Sequence, residues 1–194
     1  MLKPMLDSIL ALDQEIFRLI HGTWHSEFWD TFFPYWRSKR VWIPVYVLVV
    51  FFFVHKYRRQ GWFPIFLVLL TVSLSDALSS HVIKPWFGRL RPCHDAEVLA
   101  FHRMIMDCSS GFSFTSSHAA NHFALSTIFW LLLRERYPRK RLFVLLYVWA
   151  ASIAYGQVYV GVHYPLDILC GGVLGFLVAY GVYRLFGHQL PMRR

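Results

Sequence analysis

Charge is what this chain has least of. Only 16% of its 194 residues are charged, against about 25% in an ordinary soluble domain. Acids are the scarcer half, with 11 Asp and Glu beside 20 Lys and Arg. No low-complexity segment and no internal repeat of the transporter type is present. No uncharged core followed by a small-residue cleavage site occurs near the start, so no removable signal peptide is expected. What fills the chain is apolar: 56% of residues are hydrophobic and 19% aromatic. That content excludes a disordered or collagenous chain, and the length excludes a two-domain soluble protein. A formal charge of +9 would point a soluble protein toward nucleic acid. Here the cations stand between long apolar runs, so the partner is a bilayer and no nucleic acid is expected.

A transmembrane helix needs roughly 20 mostly apolar residues. Five runs approach that length: 41–54, 61–83, 115–133, 142–162 and 164–183. The first has only 14 residues and spans only if His55, Tyr57 and the flanking Lys and Arg side chains snorkel outward. Before these runs, Leu6, Ile9, Leu10, Ile16, Phe17 and Ile20 recur at helical spacing, which predicts an amphipathic, non-spanning helix at the interface. The fold class is therefore an all-α integral membrane bundle of about five spans plus that helix. Residues 1–40 form the interfacial segment and 41–187 a single transmembrane domain with an outer loop at 81–114. A basic tail occupies 188–194.

Five spans sort the connections into two sets. His55–Gly61, Arg134–Arg141 and the tail after Arg184 hold eleven Lys and Arg residues, and the opposite set holds nine. The positive-inside rule places the first set in the cytoplasm and the 81–114 loop outside, although Arg37, Lys39 and Arg40 oppose that direction. Cys93 and Cys108 share the outer loop, where they are either bridged, which would be worth about 3 kcal/mol, or free thiols. His94 and His102 lie near them, at spacing too irregular for a zinc set. Cys170 belongs to the last span.

The outer face receives three clusters of unusual polar residues, and polar groups at membrane depth are functional by default. In the first, Lys84, Arg89 and Arg91 project from a stretch broken by Pro85, Gly88 and Pro92; three cations there either bind an anion or lie against headgroups. In the second, Thr115, Ser116 and Ser117 are N-cap residues at a helix start, which also attracts phosphate, and His118 and His122 follow one turn apart. In the third, His163 and Asp167 sit about one turn apart, with Pro165 in the first helical turn. A carboxylate on Nδ1–H would leave Nε2 free as nucleophile or base; an ordinary structural His–Asp pair has the same spacing.

The ordered triple resembles the type 2 phosphatidic acid phosphatase (PAP2) family, which also includes vanadium haloperoxidases. Lys84 and Arg91-Pro92 match its first motif, Thr115-Ser116-Ser117-His118 its second, and Gly156-Gln157 with His163 and Asp167 its third. The resemblance implies a six-helix core and a metal-independent, cofactor-free phosphatase acting on a membrane lipid phosphate. It implies His163 as the nucleophile that becomes a phosphohistidine, Asp167 as its orienting partner and His118 as the acid for the leaving oxygen. Lys84, Arg91, Ser116, Ser117 and the Gln157 position would hold the phosphate. Three positions depart from the pattern. Thr115 replaces Pro, Ser117 replaces Gly, and Gln157 stands where the family has a phosphate-binding Arg, a loss of charge and of a bidentate fork. Arg89 or Arg103 is the expected substitute, and Gln157→Arg is expected to raise phosphate affinity. Undecaprenyl diphosphate and lipid A are the favoured substrates, with phosphatidylglycerol phosphate and phosphatidic acid as others, at the outer face of a bacterial inner membrane. Two rivals remain: a non-catalytic lipid-phosphate binder, and a transporter with a polar path through Asp76, Ser80 and Lys84. The residues do not set an oligomeric state.

Overall fold

The structure, a computed structural model, describes residues 2–134 and 140–189. All regular elements among them are helical. The N-terminal segment forms α1 (Leu2–Phe17), a π-helical turn (Arg18–Thr23) and α2 (Glu27–Trp36). Then follow α3 (Lys39–Tyr57), α4 (Trp62–Ala77), a second π-helical turn (Leu78–Ile83) and α5 (Lys84–Phe87). The outer loop carries the single-turn α6 (Ala96–Leu99), and the bundle is completed by α7 (Ser117–Leu133), α8 (Lys140–Tyr159) and α9 (Pro165–Phe186).

Among the described residues three stretches are long and apolar enough to cross a membrane: Lys39–Leu99, Arg141–Tyr159 and Pro165–Phe186. The first contains both α3 and α4, which fold back on each other at Arg58–Gly61. Arg58 has φ 50° there, and Gly61 lies so close to α3 that a Cβ would stand 2.2 Å from the Phe53 carbonyl oxygen. The third expected span, α7, has 17 residues and is the enclosed centre of the bundle, with Ala119, Ala120, Ala124 and Ile128 fully buried. Large apolar side chains face outward instead, Leu48 at 65% and Leu145 at 67% exposure among them. Such a surface is stable only against lipid.

The first span is longer than the uncharged run at 41–54. Helix α3 takes in Lys39 and Arg40 at one end and His55, Lys56 and Tyr57 at the other, because helical hydrogen bonding continues under side chains that snorkel. The boundary expected at residue 40 thus falls inside a helix. In α1, Leu6, Ile9 and Leu10 remain exposed, whereas Asp13 and Phe17 are buried; Phe17 packs with Val98, Val158 and Tyr164. Arg136 and Arg139, and Arg193 and Arg194 of the tail, which entered the charge balance, lie outside the described residues.

Close packing of α7 on α9 sets the geometry of the site. Gly171 and Gly175 present bare backbone to α7, where a Cβ would come within 2.6 Å of the Ser116 carbonyl oxygen and 2.0 Å of that of Ala120. Small residues are what allow membrane helices to approach this closely. The start of α7 is thereby tied to the start of α9, with the Ser116 N–H donating to the Asp167 carbonyl oxygen at 3.0 Å.

Candidate active site

The turn between α8 and α9 supplies His163, and Pro165 opens α9 with Asp167 in its first turn. His163 Nδ1 lies 3.3 Å from Asp167 Oδ2. The carboxylate also accepts from the Tyr164 N–H at 2.9 Å, from the Ser113 hydroxyl, and from Arg89 at 2.9 Å. With Nδ1–H committed to Asp167, the lone pair is on Nε2, 3.4 Å from an Arg91 terminal nitrogen. Burial pushes the His163 ring down to about 4 in spite of Asp167, with Lys84 and Arg91 adding to the effect. The ring is therefore neutral near pH 7, the state a nitrogen nucleophile requires.

Around Nε2 is a cavity of about 410 Å³ whose wall includes Arg37, Lys84, Arg91, Ser117, His118 and His163. Lys84 reaches over it, donating to the carbonyl oxygens of Phe112 and Ser113 at 3.0 and 3.1 Å. Arg91 is anchored on the carbonyl oxygens of Val162 and Gly111. Ser117 makes 3.0 Å hydroxyl contacts with Ser79 and Ser80. A second, apolar cavity of about 410 Å³ between α3, α4 and α7 shares Ser117 and His118 with the first. Polar and apolar compartments thus meet at His118.

Five of the eight sequence-expected catalytic and phosphate-binding residues line this pocket, Lys84, Arg91, Ser117, His118 and His163; Asp167 stands behind His163, and Ser116 and Gln157 are turned away. Ser116 is fully buried and caps α7, accepting from the Ala119 N–H at 3.4 Å, so its hydroxyl does not line the pocket. Gln157 is fully buried behind Arg37, accepting from that guanidinium at 2.7 and 3.0 Å. Neither expected substitute fills the gap. Arg89 pairs with Asp13 and Asp167, and Arg103 pairs with Asp30. His122 is structural, its Nδ1–H donating to the His118 carbonyl oxygen at 2.8 Å. Asp76, Ser80 and Lys84 form no chain: Asp76 accepts from Asn121, Ser80 meets Ser117, and Lys84 turns to the outer loop. Cys93 and Cys108 are joined as a disulfide with Cα atoms 6.1 Å apart; His94 lies beside Cys108, while His102 turns to the Gly161 carbonyl oxygen.

Sequence reading missed Asp13, Arg37 and Ser113. Asp13 accepts from Arg89 at 2.5 Å and from the Leu166 N–H at 2.7 Å. The one signal for Arg37 was that it counted against the charge balance of its side.

Comparison with known proteins agrees with this architecture. A "Lipid A 4'-phosphatase" of Bacteroides thetaiotaomicron is 28% identical over 192 residues, covering 97% of this chain and 83% of that protein. A protein of the same description from Porphyromonas gingivalis is 28% identical, covering 93% and 75%. The crystal structure of Aquifex aeolicus LpxE superposes with a TM-score of 0.69 at 24% identity, covering 89% of this chain and 95% of that one. A transmembrane PAP2-type phosphatidylglycerolphosphate phosphatase of Bacillus subtilis gives 0.75 at 21%, covering 96% and 90%. The PAP2 superfamily model matches residues 64–190, from the start of α4 through α9, and the chain belongs to that superfamily.

Proposed function

We propose that this chain is a metal-independent lipid phosphatase working through a phosphohistidine, with the phosphate of lipid A as its first candidate substrate. The observation that carries the reading is one constellation: a neutral His163 whose Nδ1 faces Asp167 and whose Nε2 faces a cationic pocket shared with His118. His163 Nε2 attacks phosphorus, the bond from phosphorus to the lipid oxygen breaks, and His118, protonated in the complex with the anionic phosphate, gives that oxygen its proton. Asp167 holds the ring as it becomes cationic. Water then attacks phosphorus, His118 takes the water's proton, and the phosphorus–nitrogen bond breaks to release phosphate. Lys84 and Arg91 offset the charge on the phosphoryl oxygens, which is most of what phosphoryl transfer requires of a protein.

Similarity along nearly all of this chain to two proteins described as lipid A 4'-phosphatases favours a lipid A phosphate over undecaprenyl diphosphate, phosphatidylglycerol phosphate or phosphatidic acid. The apolar cavity beside His118 suits a substrate whose phosphate enters the pocket while its hydrocarbon stays in lipid. The site then faces the periplasm or cell exterior from a bacterial inner membrane. The test is phosphate release by the detergent-purified protein in EDTA across those four lipids, beside His163→Ala. Release from lipid A that the variant lacks is the expected result. Silence across all four with retained binding of lipid phosphate would leave a binding protein.

A further inference from the structure

Three cations line the phosphate pocket, and among the described residues none of them is paired with a carboxylate: Arg37, Lys84 and Arg91. The nearby Arg89 and Arg103 each have an aspartate. Leaving a cation partly buried and unpaired is costly unless an anion arrives to compensate it. For Arg37 that cost is visible, since burial, with Arg91 close by, pushes its guanidinium down to about 10.

Its tether is specific. Arg37 stands between α2 and α3, more than a hundred positions from Gln157 in sequence, yet donates to the single oxygen Gln157 Oε1 through both Nε and Nη2, at 3.0 and 2.7 Å. Gln157 Nε2 points the other way, 3.5 Å from the Ile153 carbonyl oxygen, which orients the amide with its oxygen toward Arg37. Nη1 contacts Met106 Sδ at 2.8 Å. Of the five N–H donors of a guanidinium, one on each terminal nitrogen is left, enough for a fork on an anion. A neutral, buried acceptor is suited to aiming such a fork without neutralising it.

We propose that Arg37, held by Gln157, is the third phosphate-binding cation of this pocket and supplies from the N-terminal segment the guanidinium absent at position 157. Gln157 is a positioning residue that does not touch the phosphate. The inference rests on the phosphatase reading for its substrate, though its binding claim can be tested apart from turnover. An arginine added at 157 would crowd Arg37 with a like charge, so the expected gain from Gln157→Arg becomes a loss, or at most no change.

The experiment uses the full chain in detergent and inorganic phosphate as probe, measured by calorimetry, with turnover on a lipid A phosphate in parallel. Arg37→Gln is expected to weaken phosphate binding and lower kcat/KM by about 10- to 100-fold, the value of one charge-assisted contact. Arg37→Lys, which keeps charge without the fork, falls between it and the unaltered protein. Gln157→Arg alone gains nothing, and in the Arg37→Gln background it recovers at least part of the phosphate affinity. Unchanged phosphate affinity in Arg37→Gln, with its thermal unfolding intact, overturns the proposal. If Arg37→Gln is unstable, Arg37→Lys decides: phosphate affinity equal to that of the unaltered protein overturns it. A protein that hydrolyses no lipid but loses phosphate binding on Arg37→Gln overturns the phosphatase reading and leaves this inference standing.

Discussion

At the residue scale, the His163–Asp167 pair depends on groups it does not contain. Asp13 grips Arg89, which grips Asp167, and also accepts from the first turn of α9. Burial pushes the Asp13 carboxyl up while Arg89 and the Leu166 N–H pull it down, and burial prevails. The ion pair is therefore weak as a source of stability and matters for placement. Asp13→Asn, isosteric but uncharged, is expected to lower kcat about 10-fold with KM nearly unchanged, the signature of lost alignment with binding retained. A proportional rise in KM would sink that reading.

His21 extends the same logic to pH. Its Nε2 accepts from the Arg103 N–H at 2.8 Å, so its Nδ1–H donates to the Tyr159 carbonyl oxygen at 2.8 Å. Phe17 and His102 pack on the ring, Arg103 donates to its own carbonyl oxygen, and the Arg103–Asp30 pair lies beyond. Burial pushes this fully enclosed ring down to about 4, and His102 and Arg103 add to the effect. The unfolded chain binds a proton near pH 6.5 that the folded chain refuses until about pH 4. Stability contributed by neutral His21 is thus full above 6.5 and is lost as pH falls toward 4, by an amount on the order of 2–3 kcal/mol. Thermal unfolding of the unaltered protein and His21→Gln between pH 7 and 4.5 checks this: the unaltered protein should show the steeper loss. Equal slopes would assign the pH dependence elsewhere.

At the element scale, the motifs were legible because each lies within one short segment. Lys84 to Arg91 and His163 to Asp167 hold their spacing on one helix start or turn, whatever the rest of the chain does. Asp13 and Arg37 were not legible, because they reach the site from segments more than a hundred residues away in sequence. Helical spacing puts Asp13 on the same face as Leu6, Ile9, Phe17 and Ile20, but spacing could not show that the Asp13–Phe17 end of this face turns inward. The α7–α9 contact was equally silent, since Gly171, Gly172 and Gly175 read simply as small residues in an apolar run. Yet it joins the second and third motifs. Gly175→Ala places a methyl 2.0 Å from the Ala120 carbonyl oxygen and 2.8 Å from the Ala124 nitrogen, against backbone that cannot rotate away. Overpacking of this kind costs about 1–3 kcal/mol. The expected result is a lower unfolding temperature in detergent and a matching loss of turnover, whereas Gly181→Ala, which meets nothing within 4 Å, should be neutral on both counts.

At the scale of the whole molecule, five apolar runs correspond to α3, α4, α7, α8 and α9 and do not show the gap between them. The apolar cavity between α3, α4 and α7 is bordered by Val50, Phe53, Ile65, Val68, Val72 and Phe129 and ends at His118. All six read simply as apolar residues of their runs, and only assembly leaves space among them. If hydrocarbon next to the phosphate lies here, filling the space should discriminate by chain and not by chemistry. Val68→Trp adds bulk to the wall of this cavity at a residue that does not line the cationic pocket. For a long-chain lipid phosphate, kcat/KM should fall about 10-fold, some 1.4 kcal/mol of lost burial. For para-nitrophenyl phosphate, which has no chain to bury, it should stay within about twofold of the unaltered protein, a difference that small corresponding to less than 0.5 kcal/mol. A parallel fall on both substrates would show a disturbed active site, and an effect on neither would place the substrate's hydrocarbon outside this cavity, against the lipid-facing surface of the bundle.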